Sequence, residues 1–350
     1  MPKTVLLIGS QPERMTRLRR TFVSLKELGV NVRVMKPYRY PAGKPRVLKG
    51  IIRYLVLLVQ VATSKADVYH FFNVPDVIGL PLLLKRGVVI YDVRSPWFSS
   101  IKESLGSSTL SRIASLIERV MTKGADIVLA ANYPIAHRAY HWGARRVTMV
   151  PNYPPSDFGP KRDKAIVRKF LGFNDEQVIL YLGKISRIEG SNLLKQIILK
   201  TCTEVPGAKF LIVGDGPEKQ SLVSFVAQHH LKERVVMTGW IKHEDVADYI
   251  NVADICLLPR KWDSFSAYTA PENITKAAEY LAVGKPIIAP KMGGFVNADF
   301  PVISAEPAEM ADALIHFLRN PRPIGDYVRP SWSESHRRLA CVYKKIHVIS

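Results

Sequence analysis

Four short stretches hold residues whose types and spacing suit a phosphorylated ligand. Gly183, Lys184 and Arg187 follow the apolar run Val178–Leu182. A glycine lets the backbone approach a pyrophosphate, and two nearby cations can neutralise it. Gly214-Asp215-Gly216-Pro217 follows a second apolar run, Lys209–Val213, and Thr238-Gly239-Trp240 ends a third, Val235–Thr238. A short glycine turn of this kind is generic by itself. Lys276-Ala277-Ala278-Glu279 lies on a helical pattern that leads to Gly284-Lys285-Pro286. A buried carboxylate at Glu279 can accept two hydrogen bonds from a ribose diol, as an acidic residue does in dinucleotide folds; the bland alternative is a solvated helix charge.

The first half of the chain offers fewer reactive groups. Tyr91-Asp92-Val93-Arg94-Ser95-Pro96-Trp97 lies at the end of an apolar run, and His70 lies within another, Val68–Phe72. Arg94 cannot act as a base at physiological pH, and a lone His70 is either an acid–base group or a core histidine. Arg14, Arg17, Arg19 and Arg20 crowd one helix, to hold a phosphorylated acceptor, to face anionic lipid or to be solvated. No His, Asp or Glu cluster has metal-ligand spacing, and Asp215 belongs to no DXD motif. The sequence therefore predicts no bound metal and no cofactor apart from the donor itself.

The elements that must position these residues alternate in type. Apolar runs predict strands at Val5–Gly9, Asn31–Met35, Val68–Phe72, Val88–Val93, Ile127–Ala131 and Val147–Val150, with helices between them. Gly29 is placed to end the first helix. Pro151-Asn152-Tyr153-Pro154-Pro155 then punctuates the chain as a hinge. The second half repeats the style, with strands at Val178–Leu182, Lys209–Val213, Val235–Thr238, Ile255–Leu258 and Pro286–Ala289. Continuous apolar strands alternating with helices predict parallel, doubly wound sheets. Ligands of such sheets bind at the carboxyl ends of the strands, which is where all four stretches fall.

Composition narrows the partners. The 350 residues carry a net charge of +20, which favours a polyanionic partner without choosing among nucleic acid, anionic lipid and a phosphorylated small molecule. No zinc, helix-turn-helix or RNP motif supports nucleic acid. The three cysteines are far apart and suit a reducing cytoplasm. The stretch Val47–Ser64 mixes Lys49 and Arg53 with Ile51, Ile52, Leu55, Val56 and Val59. It is either a helix lying on a membrane or one covering a sheet.

The second half resembles retaining GT-B glycosyltransferases of the group 1 type (family 4), which include mannosyl- and glucosyltransferases. Five segments occur in the family's order: YLGKISRIEG, FLIVGDGPE, VVMTGWI, ADICLLPR and NITKAAEYLAVGKPIIAPKMGG. The resemblance is good from Tyr181 to Gly294 and is one of pattern before that. It implies two Rossmann-like domains facing across a cleft: an acceptor domain at 1–150, joined by a returning helix at 331–350, and a nucleotide-sugar domain at 151–330.

The resemblance further implies that Lys184 and Arg187 contact the donor diphosphate beside Gly183, and that Gly214, Asp215 and Gly216 line its pocket. Thr238, Gly239 and Trp240 would hold the base, and Glu279 the ribose. A first glutamate common in the family is replaced by Pro271, with Glu272 beside it, so Lys276 takes part of its place, and Asn273, Ile274, Thr275 and Lys276 approach phosphate and sugar. Phe295, Val296 and Asn297 stand where the family often adds an acid. The catalytic set implied is Arg94, His70, Lys184 and Lys276, with the leaving diphosphate accepting the acceptor's proton. The activity implied is hexosyl transfer from a GDP- or UDP-linked sugar to a lipid-linked or glycan acceptor, in the cytoplasm and in peripheral contact with an anionic membrane, without nucleic acid. A nucleotide-sugar epimerase and an inactive scaffold subunit are the rival readings.

Overall fold

The computed structural model describes residues 3–36, 46–263, 265–296, 298–321 and 324–349, without the side chains of 46–51, 103 and 104. Asn297 and the side chains of Lys49 and Ile51 lie outside the described residues. The chain divides into two compact units, Met1–Asn152 with Trp332–Ser350, and Tyr153–Ser331.

Unit 1 runs β1 (Thr4–Ile8), α1 (Thr16–Glu27), β2 (Asn31–Val34), α2 (Arg46–Thr63), β3 (Val68–Phe72), β4 (Val88–Val93), α3 (Trp97–Leu105), α4 (Ser108–Gly124), β5 (Ile127–Ala130), α5 (Tyr133–His141) and β6 (Val147–Met149). A 3-10 segment, Asp76–Leu84, joins β3 to β4. The strands form one parallel sheet in the order β2-β1-β3-β4-β5-β6. Side chains set the helix starts: Ser107 Oγ accepts from Leu110 N at 3.2 Å, and Asn132 Oδ1 from Ile135 N at 3.0 Å. Gly29, at φ +73°, ends α1 as its position predicts.

Unit 2 runs α6 (Lys164–Phe170), β7 (Gln177–Leu182), α7 (Ser191–Glu204), β8 (Ala208–Val213), α8 (Lys219–Gln228), β9 (Val235–Gly239), α9 (Val246–Val252), β10 (Ile255–Leu257), α10 (Thr275–Ala282), β11 (Ile287–Pro290), β12 (Val302–Ala305) and α11 (Met310–Arg319). Its parallel sheet has the order β12-β11-β10-β7-β8-β9. Fully buried strand residues such as Ile179, Leu180, Leu211 and Ile288 feed apolar layers on both sides, which is why the strands read as unbroken apolar runs.

The last helix, α12 (Trp332–Lys345), belongs to unit 1. Trp332, Leu339, Tyr343 and Ile346, spaced by three to seven residues, bury against Val5, Leu7, Leu18 and Val68. Polar bonds fix its register: Trp332 Nε1 donates to Ser24 Oγ at 2.9 Å and Ser335 Oγ to Pro151 O at 2.6 Å.

Among the described residues, α3, α6 and β12 escape the sequence reading, as do the 3-10 segments, of which Asp76–Leu84 is the longest. Each is short, and β12 is an edge strand, half exposed and bounded by Pro301 and Pro307, so it lacks the apolar signature of its neighbours.

Candidate active site

In unit 2 the loops after β7, β8 and β9 are tied to each other by backbone hydrogen bonds. Gly183 N donates to Val213 O at 2.8 Å, Ile185 N to Asp215 O at 2.9 Å, and Gly214 N to Gly239 O at 2.8 Å. The contact admits no side chain at Gly214: its φ is +142°, and a Cβ there would lie 1.9 Å from Gly183 O. The glycines therefore let three loop backbones close into one shelf at the carboxyl end of the sheet.

Around this shelf the sequence-derived residues take different roles. Lys184 is exposed beside it. Arg187 is exposed and pairs with Glu218 at 3.1 Å. Asp215 is held by Lys219 at 2.6 Å and accepts from Gly216 N at 2.7 Å, so it shapes the turn. Thr238 Oγ1 donates to Gly239 O at 3.0 Å, and Trp240 is exposed rather than part of a core. Asn273 caps its own turn, accepting from Ala270 N at 2.8 Å and donating to Tyr268 O at 3.0 Å. Ile274 is buried ahead of α10, so its side chain offers a ligand nothing. Thr275 is exposed at the first turn of α10, where free backbone N–H groups and the helix dipole favour an anion.

Lys276 and Glu279 are the two charged residues that α10 carries inward. Glu279 is buried, which excludes the solvated-charge alternative, and its Oε1 lies 3.6 Å from Nε2 of the exposed His243. Lys276 Nζ bonds Glu189 Oε2 at 2.7 Å and lies 4.9 Å from the centre of the Tyr181 ring. Arg260 reaches the other oxygen of Glu189 at 3.4 Å. Burial lowers the Lys276 ammonium from its ordinary value against the pull of Glu189. Burial opposes ionisation of Glu189 too, but Lys276, Arg260 and Lys184 outweigh it and hold the carboxyl below its usual value.

Glu189 and Arg260 are the site residues the sequence reading missed. Both lie inside its matching segments, in RIEG and LLPR. The available signal was Gly190: its φ is +82°, and a Cβ there would fall 1.4 Å from Pro259 O. That contact brings the β7–α7 loop against the loop after β10.

In unit 1 a second charged group lies under the carboxyl end of the sheet. Arg17 Nε bonds both Asp92 oxygens, at 2.8 and 2.9 Å, and its Nη1 donates to Val150 O at 2.7 Å. His70 Nε2 lies 3.2 Å from Asp92 Oδ2, and its Nδ1 lies 2.7 Å from Tyr343 Oη. This pairing assigns the tautomer: Nε2–H donates to the carboxylate and Nδ1 accepts from the phenol. His70 is fully buried and stacked on Phe72 at 4.4 Å. Both of its nitrogens are engaged within the protein, the arrangement of a core histidine rather than of a free acid–base group. Arg17 is likewise an internal cation rather than one free for an acceptor or a lipid.

Arg94 is exposed just past β4, and its backbone N donates to Asn73 Oδ1 at 3.1 Å. Asn73 Nδ2 also bonds Ser95 O at 2.5 Å, and Ser10 Oγ bonds Val74 O at 3.0 Å. Three loops, after β1, β3 and β4, thus meet at Asn73–Val74. Val74 has φ +73°, an unusual backbone for a β-branched residue, at the centre of this cluster. Among the described residues no group of His, Cys, Asp and Glu could hold a metal ion.

Two six-stranded parallel sheets, each with helices and a loop cluster at its carboxyl end, define an α/β protein of the GT-B type. Residues 176–320 match the family model for glycosyl transferases group 1. The α-D-kanosaminyltransferase of Streptomyces kanamyceticus is 24% identical over 307 residues, 81% of this chain and 75% of that one. Other curated relatives are matched over less than two thirds of their own length, from 59% down to 25%. Among solved structures, a sucrose-phosphate synthase from Thermosynechococcus elongatus superposes with a TM-score of 0.69 at 17% identity, covering 99% of this chain and 96% of that one. Anabaena HepE in complex with UDP-glucose does so at 0.62 and 15%, covering 99% and 100%. Residues 176–320, within the second unit, are thus a group 1 glycosyltransferase domain, and the chain as a whole has the fold of the glycosyltransferases it resembles.

Proposed function

We propose that this glycosyltransferase moves a hexosyl group from a nucleotide sugar to a lipid-linked or glycan acceptor, with retention at the anomeric carbon. Unit 2 binds the donor and unit 1 the acceptor. The observation that carries the reading is the arrangement on unit 2: a glycine shelf, the open first turn of α10, the cation Lys276 and the buried carboxylate Glu279 at the ends of neighbouring strands.

Each part suits one part of a donor. The shelf and the α10 N–H groups accept the diphosphate, with Lys276 and Lys184 supplying cationic charge against the negative charge that grows on the leaving group. Glu279 is placed to accept hydrogen bonds from a ribose diol, and the exposed Trp240 gives a base a flat apolar surface. Arg94 can stabilise an anion but cannot take a proton, so the acceptor proton passes to the departing diphosphate. The complex of HepE with UDP-glucose favours a uridine donor over a guanosine one.

The test is a thermal-shift screen against UDP-glucose, UDP-N-acetylglucosamine, UDP-galactose, GDP-mannose and the free nucleotides. A ligand present at about 100 times its Kd adds roughly 2.7 kcal/mol to stability, so a uridine donor raises the melting temperature by several degrees. Equal, negligible shifts with every sugar nucleotide contradict the donor assignment. Anomeric configuration of the product, read by NMR, decides retention.

A further inference from the structure

The helix α4 is built inside out. Its buried face is Ser111, Ala114, Glu118, Met121 and Thr122. Its exposed positions hold the large apolar residues Leu110 (46% exposed), Ile113 (50%), Leu116 (63%) and Val120 (43%). These are spaced by three or four residues and form one stripe. Inside, Glu118 is satisfied at 3.1 Å by Arg138 and at 2.5 Å by Trp97 N, so the buried polar face is a settled arrangement.

The stripe has neighbours of the same character. The helix α4 packs on α3 and on the 3-10 segment Asp76–Leu84, which in turn packs on α2. These elements add Leu105, Leu84 (90% exposed), Leu55 and Val59. Eight of the exposed large apolar residues of unit 1 therefore lie on adjoining elements. Singly exposed leucines are ordinary, whereas a four-residue apolar stripe on one helix, with more exposed apolar residues on the elements packed against it, has the character of a docking surface.

Charge selects the occupant. The exposed charges of α4 are Arg112, Arg119 and Lys123, and Lys102 and Arg86 flank it on α3 and before β4. The five acids between Arg46 and Gly124 are Asp67, Asp76, Asp92, Glu103 and Glu118. Asp76, Asp92 and Glu118 are buried, and Asp67 lies on the turn before β3, where it accepts from Thr4 N. A stripe of leucine, isoleucine and valine flanked by cations matches the headgroup–acyl boundary of an anionic bilayer, which supplies hydrocarbon and negative charge together. No helix among the described residues is long and apolar enough to cross a membrane, so the contact is one of lying on the surface.

We propose that unit 1 docks on anionic lipid through the exposed face of α4, extended by the 3-10 segment Asp76–Leu84 and α3. From the helix α2, the sequence's candidate for this contact, the large apolar side chains exposed among the described residues are Leu55 and Val59, while Leu57 and Val61 are buried. The proposal deepens the reading of a lipid-linked acceptor but is tested apart from it.

The experiment is co-sedimentation of the full chain with vesicles of phosphatidylcholine alone and of phosphatidylcholine with phosphatidylglycerol. The wild type binds the anionic vesicles at least about tenfold more strongly, and added salt weakens the binding. The variant Ile113→Ser/Leu116→Ser loses about tenfold or more of it, and Arg112→Glu/Arg119→Glu loses the preference for anionic lipid. Unchanged melting temperature and unchanged sugar-nucleotide shift show that both variants remain folded and that the donor site is not what changed. A wild type that stays in the supernatant with both vesicles, or variants that bind undiminished, overturns the proposal. So does a wild-type dimer in sedimentation that Ile113→Ser/Leu116→Ser converts to monomer, since the face then takes a second copy of the chain.

Discussion

Both sheets carry one carboxylate gripped by two basic side chains near the carboxyl ends of their strands, and the two groups differ in exposure. In unit 1, Asp92 sits between Arg17 and His70, all 4% exposed or less. In unit 2, Glu189 sits between Lys276 and Arg260, at 22% and 12% exposure. The first set is sealed inside the protein and bonded to Tyr343 and Val150 as well as within itself, with Arg17 Nη2 the one atom of the set left without a partner among the described residues. The second opens beside a glycine shelf and a helix N-terminus, where an incoming diphosphate can share its cations. Similar residues therefore do different work: the sealed set joins α1, β3, β4 and α12, and the open one is available to a ligand.

The comparison is broken most forcefully by Arg17→Met. It leaves the buried Asp92 carboxylate without its main partner, and loss of one member of such a pair costs about 3–5 kcal/mol. Urea unfolding should show that loss while the affinity of folded protein for the donor stays unchanged. A large fall in donor affinity with full stability would reverse the roles of the two groups.

The pH dependence of stability sharpens the same contrast. Burial lowers the His70 pKa from its ordinary 6.5, more than Asp92 raises it. Below pH 6.5 the unfolded chain therefore binds a proton that the folded imidazole refuses, so stability is full above 6.5 and falls as pH drops through that value. Urea midpoints across this range should slope downward toward acid in the wild type and less steeply in His70→Gln. Equal slopes would show that His70 titrates alike in both states.

The smallest effect belongs to Arg187→Ala. Arg187 is 81% exposed in its pair with Glu218, so the stability change should stay below about 1 kcal/mol. Any loss in donor binding then reports on the diphosphate rather than on the fold.

Much of the fold was legible because buried parallel strands are continuous apolar runs, and most of the strands fall within a residue of their sequence-read limits. Val68–Phe72 and Val88–Val93 match in full. The elements that were lost lack a regular period: β12 is a short edge strand, α3 is only nine residues long, and the apolar segment Asp76–Leu84 is interrupted by Pro81. The geometry of the candidate site was legible where a glycine or a helix position forces it, as in the loop contact at Gly214 and the burial of Glu279. It was illegible where chemistry depends on contacts distant in sequence. Glu189 meets Lys276 across 87 positions, and His70 acquires its core character from Tyr343, 273 positions away. The exposed apolar stripe of α4 was illegible for a related reason. Its apolar residues have helical spacing, which says that a face exists but not whether protein or another medium covers it.

The central claim, a donor site built on α10, is tested most directly by titration calorimetry of UDP-glucose and UDP against the wild type and Glu279→Ala. Losing a charged hydrogen-bond partner costs about 1.5–3 kcal/mol, so the variant should bind both ligands about ten- to a hundredfold more weakly while keeping the wild-type melting temperature without ligand. Equal affinity in a folded variant would contradict the claim, because Glu279 would then be a buried carboxylate with no part in holding a donor.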